Sequence, residues 1–346
     1  MNINSITDSK TTTQSHSLNA LKVIMILFVI FIHMNPTAER YGEAAMWWHS
    51  INVVAVPVFF IISGYFFFYQ TKTFGKETYS KKLRKRIKTL LIPYLLWNLL
   101  PVLLITGGNF YSILFRGKSF DALKEFYTGL WDEGLYHIWW DKTSGTMPFD
   151  SPLWYVRDLM IVCILSPIIY IGIKRLGWIF PIIICLLHLS GIWPQANGFS
   201  STAFCFFTIG ATYAIKDKLL IDLQIYAKIF LMTATIICYL AANLTHIGFI
   251  QQLFILLSAI LWVLLSVKIP DRLIQFMNKL TPAVFFIYAI HNTFILANTS
   301  KILLKIMDEK VCFWISPIVT MIICTIIYFC MRRLFPKTTH FICGGR

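Results

Sequence analysis

The chain has 346 residues, of which 57% are hydrophobic and 14% charged, and its mean hydropathy is +0.66. These values exclude a soluble globular domain and predict an all-α polytopic membrane protein. The formal net charge of +15 does not indicate nucleic-acid binding, because Lys and Arg collect in the cytoplasmic loops of membrane proteins.

The first apolar run, residues 18–34, follows a polar stretch, residues 1–17, that we expect to be a cytoplasmic tail. The run is long enough to enter a bilayer, yet it contains Lys22 and His33. On a helix this spacing returns to within roughly 20° of the starting direction and advances about 16 Å. Because ionisable groups inside a membrane are costly, we expect their shared face to line a polar interior. The alternative is that Lys22 snorkels to the interface and His33 is a wetted end of the helix.

Further apolar runs, each close to the length of one membrane span, follow along the chain. Pro57 is expected to kink the second run, and the strongly basic stretch 72–88 comes after it. A long polar segment, 107–151, is rich in aromatic residues. We predict about ten transmembrane helices in a single domain, 18–334, followed by a short cytoplasmic tail, 335–346. The runs after the first are 46–70, 89–106, 152–173, 177–193, 200–215, 224–243, 248–267, 281–298 and 311–331.

The distribution of charge predicts the orientation of the chain. If the N-terminus is inside, the segments assigned to the cytoplasm hold 21 of the 31 Lys and Arg residues, as the positive-inside rule expects. Both termini are then cytoplasmic and the segment 107–151 is outside. Lys22 falls in the inner part of the first helix and His33 in its outer part. An unperturbed imidazole titrates near a pH of about 6.5, which suits His33 to general-base catalysis.

Several short motifs occur in a specific order along the chain. The first is the Lys22-x10-His33 spacing. The others are Pro57-Val-Phe-Phe-Ile-Ile-Ser63-Gly64-Tyr65, Lys85-Arg86-Ile87-Lys88 with Ile92-Pro93-Tyr94, Pro152-Leu-Trp154-Tyr-Val-Arg157-Asp158-Leu159, Phe207-Thr-Ile-Gly210 and Ile287-Tyr288-Ala-Ile-His291. Together they resemble the membrane acyltransferase type 3 family, which is found among bacterial O-acetyltransferases of surface polysaccharides.

The chain departs from the family pattern at two places. Lys22 stands where an arginine is usual, so a point charge replaces a planar guanidinium. Lys85 and Lys88 stand where the family has two arginines. If those arginines make bidentate phosphate contacts in the family, this chain must make them otherwise, through Arg84 or Arg86.

The resemblance implies a multi-pass protein of the bacterial cytoplasmic (inner) membrane. It implies transfer of an acyl group, usually acetyl from cytoplasmic acetyl-CoA, to a hydroxyl of an extracytoplasmic carbohydrate or glycolipid, without a metal. His33, Lys22 and His291 are the implied catalytic residues. His33 would deprotonate the hydroxyl or hold the acyl group transiently, and Lys22 could stabilise charge along the donor path.

Two groups of residues are candidates for substrate binding. A basic cluster offers a cationic surface to the CoA phosphates, or it only anchors the topology. It consists of Lys81, Lys82, Arg84, Lys85, Arg86 and Lys88. For the acceptor, aromatic faces and polar groups suit sugar rings, although Trp and Tyr also gather at membrane interfaces. These candidates are Trp154, Arg157, Asp158, Trp139 and Trp140.

Two other functions fit the same composition. One is a transporter or flippase for a lipid-linked sugar or another small polar substrate, although no inverted repeat is evident. The other is a membrane sensor or scaffold, which leaves His33 unexplained. The eight cysteines are scattered and predict neither a disulfide framework nor a metal site. Ser63-Gly64 is expected to permit close helix packing, and His188 to be an ordinary buried histidine.

Overall fold

The computed structural model describes residues 3–71, 73–141, 147–194 and 196–345, and these ranges are helical without a β-strand. The helices are α1 (Ile3–Ile32), α2 (Ala38–Tyr41), α3 (Glu43–Asn52), α4 (Ala55–Phe68), α5 (Lys76–Arg86), α6 (Ile92–Arg116), α7 (Asp121–Glu133), α8 (Trp154–Ile164), α9 (Ser166–Leu176), α10 (Ile179–Ser190), α11 (Ser201–Ile215), α12 (Ile225–Thr245), α13 (Gly248–Leu265), α14 (Asp271–Leu280), α15 (Val284–Ile290), α16 (Ala297–Leu303), α17 (Glu309–Leu334) and α18 (Pro336–Ile342).

Within the described residues, seven helical stretches are long and apolar enough to cross a membrane. They are Thr11–Ile32, Glu43–Phe68, Lys76–Arg116, Ile225–Thr245, Gly248–Lys268, Asp271–Leu303 and Glu309–Leu334. An eighth results if Ser151–Ile164 and Ser166–Leu176, bent by 58° at their junction, form one span. Ile179–Ser190 and Ser201–Ile215 are apolar but shorter. The protein is therefore a multi-pass membrane protein, and the number of ten spans stays a prediction.

The first helix begins earlier than the sequence predicts. α1 starts at Ile3, so the segment expected to be a tail, 1–17, is largely helical. Gln14 and Ser17 are buried, and the backbone N–H of Ile221 donates to Gln14 Oε1 at 3.3 Å. These polar residues are helical because they extend an apolar helix and pack against the loop after α11, which local composition does not reveal.

Most of the basic stretch, residues 76–88, is also helical. α5 carries most of its charges and continues through a π-helical turn, Ile87–Leu91, directly into α6. Pro93 lies at the start of α6 and has no N–H to donate to the carbonyl of Thr89. A wider turn at this point accommodates the missing hydrogen bond.

The segment 107–151 contains helices of its own. α6 continues to Arg116, ten residues beyond its predicted end at residue 106, and α7 follows. Gly107 and Gly108 lie within this extension of α6. A glycine weakens a helix by only about 1 kcal/mol, which the flanking helical residues outweigh.

The kink expected at Pro57 takes the form of a break between α3 and α4. α3 ends at Asn52 and α4 begins at Ala55, so the helix is interrupted at Val53, four residues before the proline. Pro57 cannot donate to the Val53 carbonyl, and its ring clashes with that group. The break leaves Val53 and Pro57 on the wall of a cavity described below.

α4 and α11 make the most extensive helix contact of the core. A Cβ added to Gly64 of α4 would overlap the carbonyl oxygen of Phe207, and one added to Gly210 of α11 would overlap that of Ile61. Glycine at both positions lets the two backbones touch. The motifs that contain Ser63-Gly64 and Gly210 therefore meet in one contact, which agrees with the packing role predicted for the first of them.

Candidate functional site

Three adjoining cavities contain Lys22, His33 and Arg157, and we name each after that residue. The Lys22 cavity has a volume of about 230 Å³, the His33 cavity about 500 Å³ and the Arg157 cavity about 400 Å³. Tyr288 lines both the Lys22 and the His33 cavity, and Trp154 lines both the His33 and the Arg157 cavity. Lys22 and His33 thus border neighbouring cavities, as expected if their shared face lines an interior.

The Lys22 cavity has mostly apolar walls with two cations. Lys22 Nζ donates to Asn19 Oδ1 at 2.9 Å and lies 5.1 Å from the centre of the Phe66 ring. Arg86 also lines the cavity, and its guanidinium lies 5.6 Å from the centre of the Phe67 ring. Cations on an apolar wall suit a ligand that has both an anionic and an apolar part.

Tyr288 forms part of the wall between the Lys22 and His33 cavities, and Tyr155 lies on the Lys22 side. The hydroxyls of Tyr155 and Ser63 are 2.9 Å apart and share a hydrogen bond. The hydroxyl of Tyr288 donates to the carbonyl oxygen of Pro152, which lines the His33 cavity. Tyr155, Ser63 and Tyr288 all line the Lys22 cavity. A group in either cavity can therefore contact Tyr288.

His33 lies immediately after the end of α1. Its backbone N–H donates to the carbonyl of Ile30 at 3.2 Å, which fixes the backbone in a last turn. The ring centres of His33 and His291 are 5.1 Å apart. An imidazole at a cavity wall can accept a proton from a hydroxyl bound there. Polar residues without an aromatic ring also line this cavity, and they are Asn35, Ser151, Thr202, Gln252 and Asn292.

His291 begins a π-helical turn, His291–Leu296, directly after α15, and its side chain is fully buried. Its Nδ1 lies 3.0 Å from the carbonyl oxygen of Ile287 and 2.9 Å from that of Tyr288. Its Nε2 has no hydrogen-bond partner among the described residues. π-Helical turns occur frequently at functional sites. The fold therefore brings His33 and His291 together and places Lys22 in the neighbouring cavity.

A buried carboxyl group lies beside the His33 cavity. Asp150 is fully buried, Thr293 Oγ1 donates to its Oδ1 at 2.5 Å, and its backbone N–H donates to Asn98 Oδ1 at 2.9 Å. Burial raises the pKa of Asp150 to about 7, against the opposing effect of the Thr293 hydrogen bond. The chain neighbours of these two residues are also joined, since Asn292 Nδ2 donates to Ser151 Oγ at 3.2 Å. These two bonds join the π-helical turn to the residues that precede α8.

The six basic residues predicted to bind the donor do not share one surface. Arg86 reaches the Lys22 cavity. Lys82 is half-buried, and its ammonium donates to the carbonyl of Phe67. The remaining four are exposed on α5 and the π-helical turn after it, and they are Lys81, Arg84, Lys85 and Lys88. Their role in donor binding stays a prediction, and of the six residues Arg86 is the one that lines a named cavity.

Arg157 and Asp158 form a buried ion pair in which Arg157 Nε donates to Asp158 Oδ1 at 3.0 Å. Arg157 Nη1 also donates to the carbonyl oxygen of Trp140, and its guanidinium lies 5.5 Å from the centre of the Trp140 ring. Both charged residues and Trp154 line the Arg157 cavity. Four of the five predicted acceptor residues are thus close together.

Trp139 is the predicted acceptor residue that lies elsewhere in the described structure. Its Nε1 donates to the carbonyl of Leu95 on α6 at 3.1 Å, and its own carbonyl accepts from the Tyr94 hydroxyl. These contacts fasten this part of the chain to α6 and leave Trp139 outside the three described cavities.

Sequence reasoning missed several residues of the site. Tyr155 and Tyr288 lie inside two of the motifs quoted above, but nothing in the sequence marks them as neighbours. Asn292 directly follows His291 and is similarly unmarked. The loop between α10 and α11 closes the Arg157 cavity, and its short, uncharged sequence gave no signal. Its lining residues include Trp193, Asn197 and Ser200.

The chain is similar to a known protein family over most of its length. The family model described as an acyltransferase domain matches residues 15–331. The succinoglycan biosynthesis protein ExoH of Rhizobium meliloti is 24% identical over 199 residues, which is 53% of this chain and 49% of that protein. The chain therefore aligns with about half the length of this relative. No solved structure matches.

Proposed function

The chain belongs to this acyltransferase family, and we propose that it transfers acetyl from cytoplasmic acetyl-CoA to a hydroxyl of an extracytoplasmic surface carbohydrate. The observation that carries the proposal is the wall residue Tyr288, which the Lys22 and His33 cavities share. A charged thioester and a neutral hydroxyl can approach this wall from opposite sides. The proposal includes the predicted topology, with ten spans in a bacterial cytoplasmic membrane and both termini inside.

The Lys22 cavity is the proposed donor site. Its volume of about 230 Å³ suits the apolar arm and acyl end of the donor rather than the whole nucleotide. The nucleotide would remain near α5, where the exposed lysines attract phosphate without fixed geometry. Arg86 lies between these two regions and offers a phosphate the bidentate contacts that a lysine cannot make. Lys22 lies on the same wall, where it can stabilise charge on the passing donor.

The proposed reaction takes place at His33. The acceptor hydroxyl attacks the thioester carbonyl while His33 accepts its proton, so that a new C–O bond forms and the C–S bond breaks. The departing thiolate then takes the proton from His33, and the products are an ester and free CoA. In the second route, the imidazole attacks the carbonyl first and the C–S bond breaks to release the thiolate. The acyl-histidine then passes the group to the hydroxyl, whose proton goes to the thiolate, and His33 is restored.

The His33 and Arg157 cavities are the proposed acceptor site. Trp154 lies between them and offers an apolar face to a sugar ring, while Arg157 and Asp158 provide polar groups beside it. The name of the ExoH relative places that protein in succinoglycan biosynthesis, which supports a carbohydrate acceptor here.

The proposal predicts sided transfer in membrane vesicles. Inside-out vesicles expose the cytoplasmic face and can enclose the surface polysaccharide of the host cell. Radiolabelled acetyl-CoA added outside should label the enclosed polysaccharide as an ester that mild alkali releases, whereas right-side-out vesicles should gain little label. Equal labelling of the polysaccharide in the two preparations would contradict a cytoplasmic donor and an extracytoplasmic acceptor. Movement of a lipid-linked sugar without label in the polymer would favour the transporter.

Arg86→Gln should weaken donor binding more than neutralisation of the exposed lysines. A hydrogen bond to a charged group contributes about 1.5–3 kcal/mol, so the dissociation constant for acetyl-CoA should rise by roughly 10-fold or more. The matched control is Lys85→Gln combined with Lys88→Gln, whose smaller effect should disappear in high salt because exposed charges are screened. Titration of the purified, inserted variants measures both effects. If Arg86→Gln binds acetyl-CoA like wild type, the assignment of the Lys22 cavity as the donor site is wrong.

A further inference from the structure

The hydrogen bonds of His291 assign its tautomer. Its Nδ1 lies within 3.0 Å of two carbonyl oxygens, those of Ile287 and Tyr288. A carbonyl oxygen can only accept, and a nitrogen lone pair aimed at two of them would be repelled. Nδ1 therefore carries the proton. In the neutral ring, Nε2 then bears the lone pair and acts only as a hydrogen-bond acceptor.

This acceptor is buried and unsatisfied among the described residues. A buried acceptor without a donor costs free energy, so its persistence calls for an explanation. The neighbouring ring is His33, whose centre is 5.1 Å away at an interplanar angle of 56°. His33 follows the end of α1 and its ring is only partly buried, so its side-chain torsions can turn one ring nitrogen toward His291.

We propose that His291 is a positioning residue that accepts a hydrogen bond from His33 and so directs the other nitrogen of His33 into the cavity. The inference rests on the proposed function of His33 as the base. One nitrogen of His33 then carries the proton and faces His291 Nε2, while the other presents its lone pair to the acceptor hydroxyl. The carbonyls of Ile287 and Tyr288 hold His291 in turn. A nucleophile or base oriented in this way by a third group is a recurring catalytic arrangement.

The arrangement also stabilises the reacting state. When His33 accepts the proton of the hydroxyl, it becomes a cation, and its hydrogen bond to the neutral His291 becomes charge-assisted and stronger. The interaction is thus strongest when His33 has reacted, which raises the rate of the chemical step rather than the affinity for either substrate.

Two substitutions at position 291 separate this role from a structural one. In His291→Asn, the side-chain amide can occupy the place of Nδ1 and donate to the two carbonyls, but no acceptor remains at the place of Nε2. In His291→Gln, the longer amide can place its oxygen near Nε2 and still accept from His33, but the donor to the carbonyls is lost. The two variants therefore each keep one half of the histidine.

We expect His291→Asn to lower kcat by roughly 10- to 100-fold, the usual cost of losing a group that orients a reacting residue. His291→Gln should stay within a few fold of wild type, and the KM for acetyl-CoA should be unchanged in both. A purely structural role predicts the reverse order, because Asn retains the anchoring hydrogen bonds. Initial rates of label transfer from acetyl-CoA to the enclosed polysaccharide give this comparison.

A second measurement tests the hydrogen bond without relying on transfer. Nitrogen NMR of histidine-labelled protein in lipid distinguishes the two neutral tautomers, and the His33 signals are found by comparison with His33→Gln. Wild type and His291→Gln should show one His33 tautomer, and His291→Asn a mixture. An unchanged His33 tautomer, or equal kcat in the Asn and Gln variants, overturns the inference.

A histidine in α3 provides the competing explanation. His49 is close enough to His33 to interact with it electrostatically, and its Nδ1 is also buried without a partner among the described residues. If His49 were the acceptor, His49→Gln would disorder the His33 tautomer while His291→Asn would not, and the inference would fail. Absence of transfer by wild type would instead overturn the proposed function and leave the tautomer result to decide the hydrogen bond.

Discussion

His33→Gln is expected to reduce acyl transfer by roughly 10²- to 10⁴-fold, the usual contribution of one general base. The variant should insert and bind acetyl-CoA like wild type. His33 follows the end of α1 and borders a cavity, so its loss removes little packing. Glutamine keeps a polar side chain of similar reach but cannot accept and release a proton at neutral pH.

The matched control is another histidine that lies outside the site. His246 is exposed after α12 and has a positive φ of 55°, which asparagine tolerates well. His246→Asn should therefore transfer acetyl at the wild-type rate. Both variants are compared by the rate of label transfer in inside-out vesicles, at equal amounts of inserted protein. Near-wild-type transfer by His33→Gln would remove His33 from the reaction.

The position of His33 could be predicted from the sequence because it depends on the geometry of a single helix. The spacing between Lys22 and His33 predicts a shared face, and in the structure both residues border the adjoining cavities. The hydrogen bonds between distant residues of the site could not be predicted from the sequence. Ser63 and Tyr155 are 92 positions apart, and Asp150 and Thr293 are 143 apart. Local periodicity predicts that a helix exists, but not which distant helix packs against it.

The basic cluster shows the same limit within a single helix. Counting charges predicts a cationic surface between residues 81 and 88, but it treats every lysine and arginine alike. Successive residues of a helix point about 100° apart, so neighbours such as Lys85 and Arg86 face different surroundings. Arg86 lines the Lys22 cavity whereas Lys85 is exposed. The rotation of α5 about its axis relative to the core decides this, and a count of charges does not contain it.

Some helix boundaries are set by nearby residues of the chain, and others by contacts with distant residues. The break before α4 was predictable because Pro57 acts on its own chain four residues earlier. The early start of α1 was not, because Gln14 is held by the backbone of Ile221 after α11. The polar composition of residues 1–17 does not reveal this contact with a distant part of the chain.

Gly210→Ala is expected to prevent stable folding. The added methyl group would overlap the carbonyl oxygen of Ile61 and lie 2.8 Å from the backbone nitrogen of Tyr65. Overpacking a core usually costs about 1–3 kcal/mol, and more when the obstructing atoms cannot move. Here they belong to the backbone of α4, so the two helices would have to separate. α4 carries Ser63, and its displacement would also disturb the wall of the Lys22 cavity.

The matched control is a glycine in a helix with open space around it. Gly108 lies in α6 with nothing within 4 Å of an added Cβ, so Gly108→Ala should stabilise the protein by about 0.5–1 kcal/mol through better helix propensity. Thermal unfolding of the detergent-purified variants, followed by tryptophan fluorescence, compares the two alanines. Gly210→Ala should yield little monodisperse protein or unfold far below wild type, and Gly108→Ala should unfold at or slightly above it. If Gly210→Ala unfolds at the wild-type temperature, α4 and α11 do not touch at these glycines.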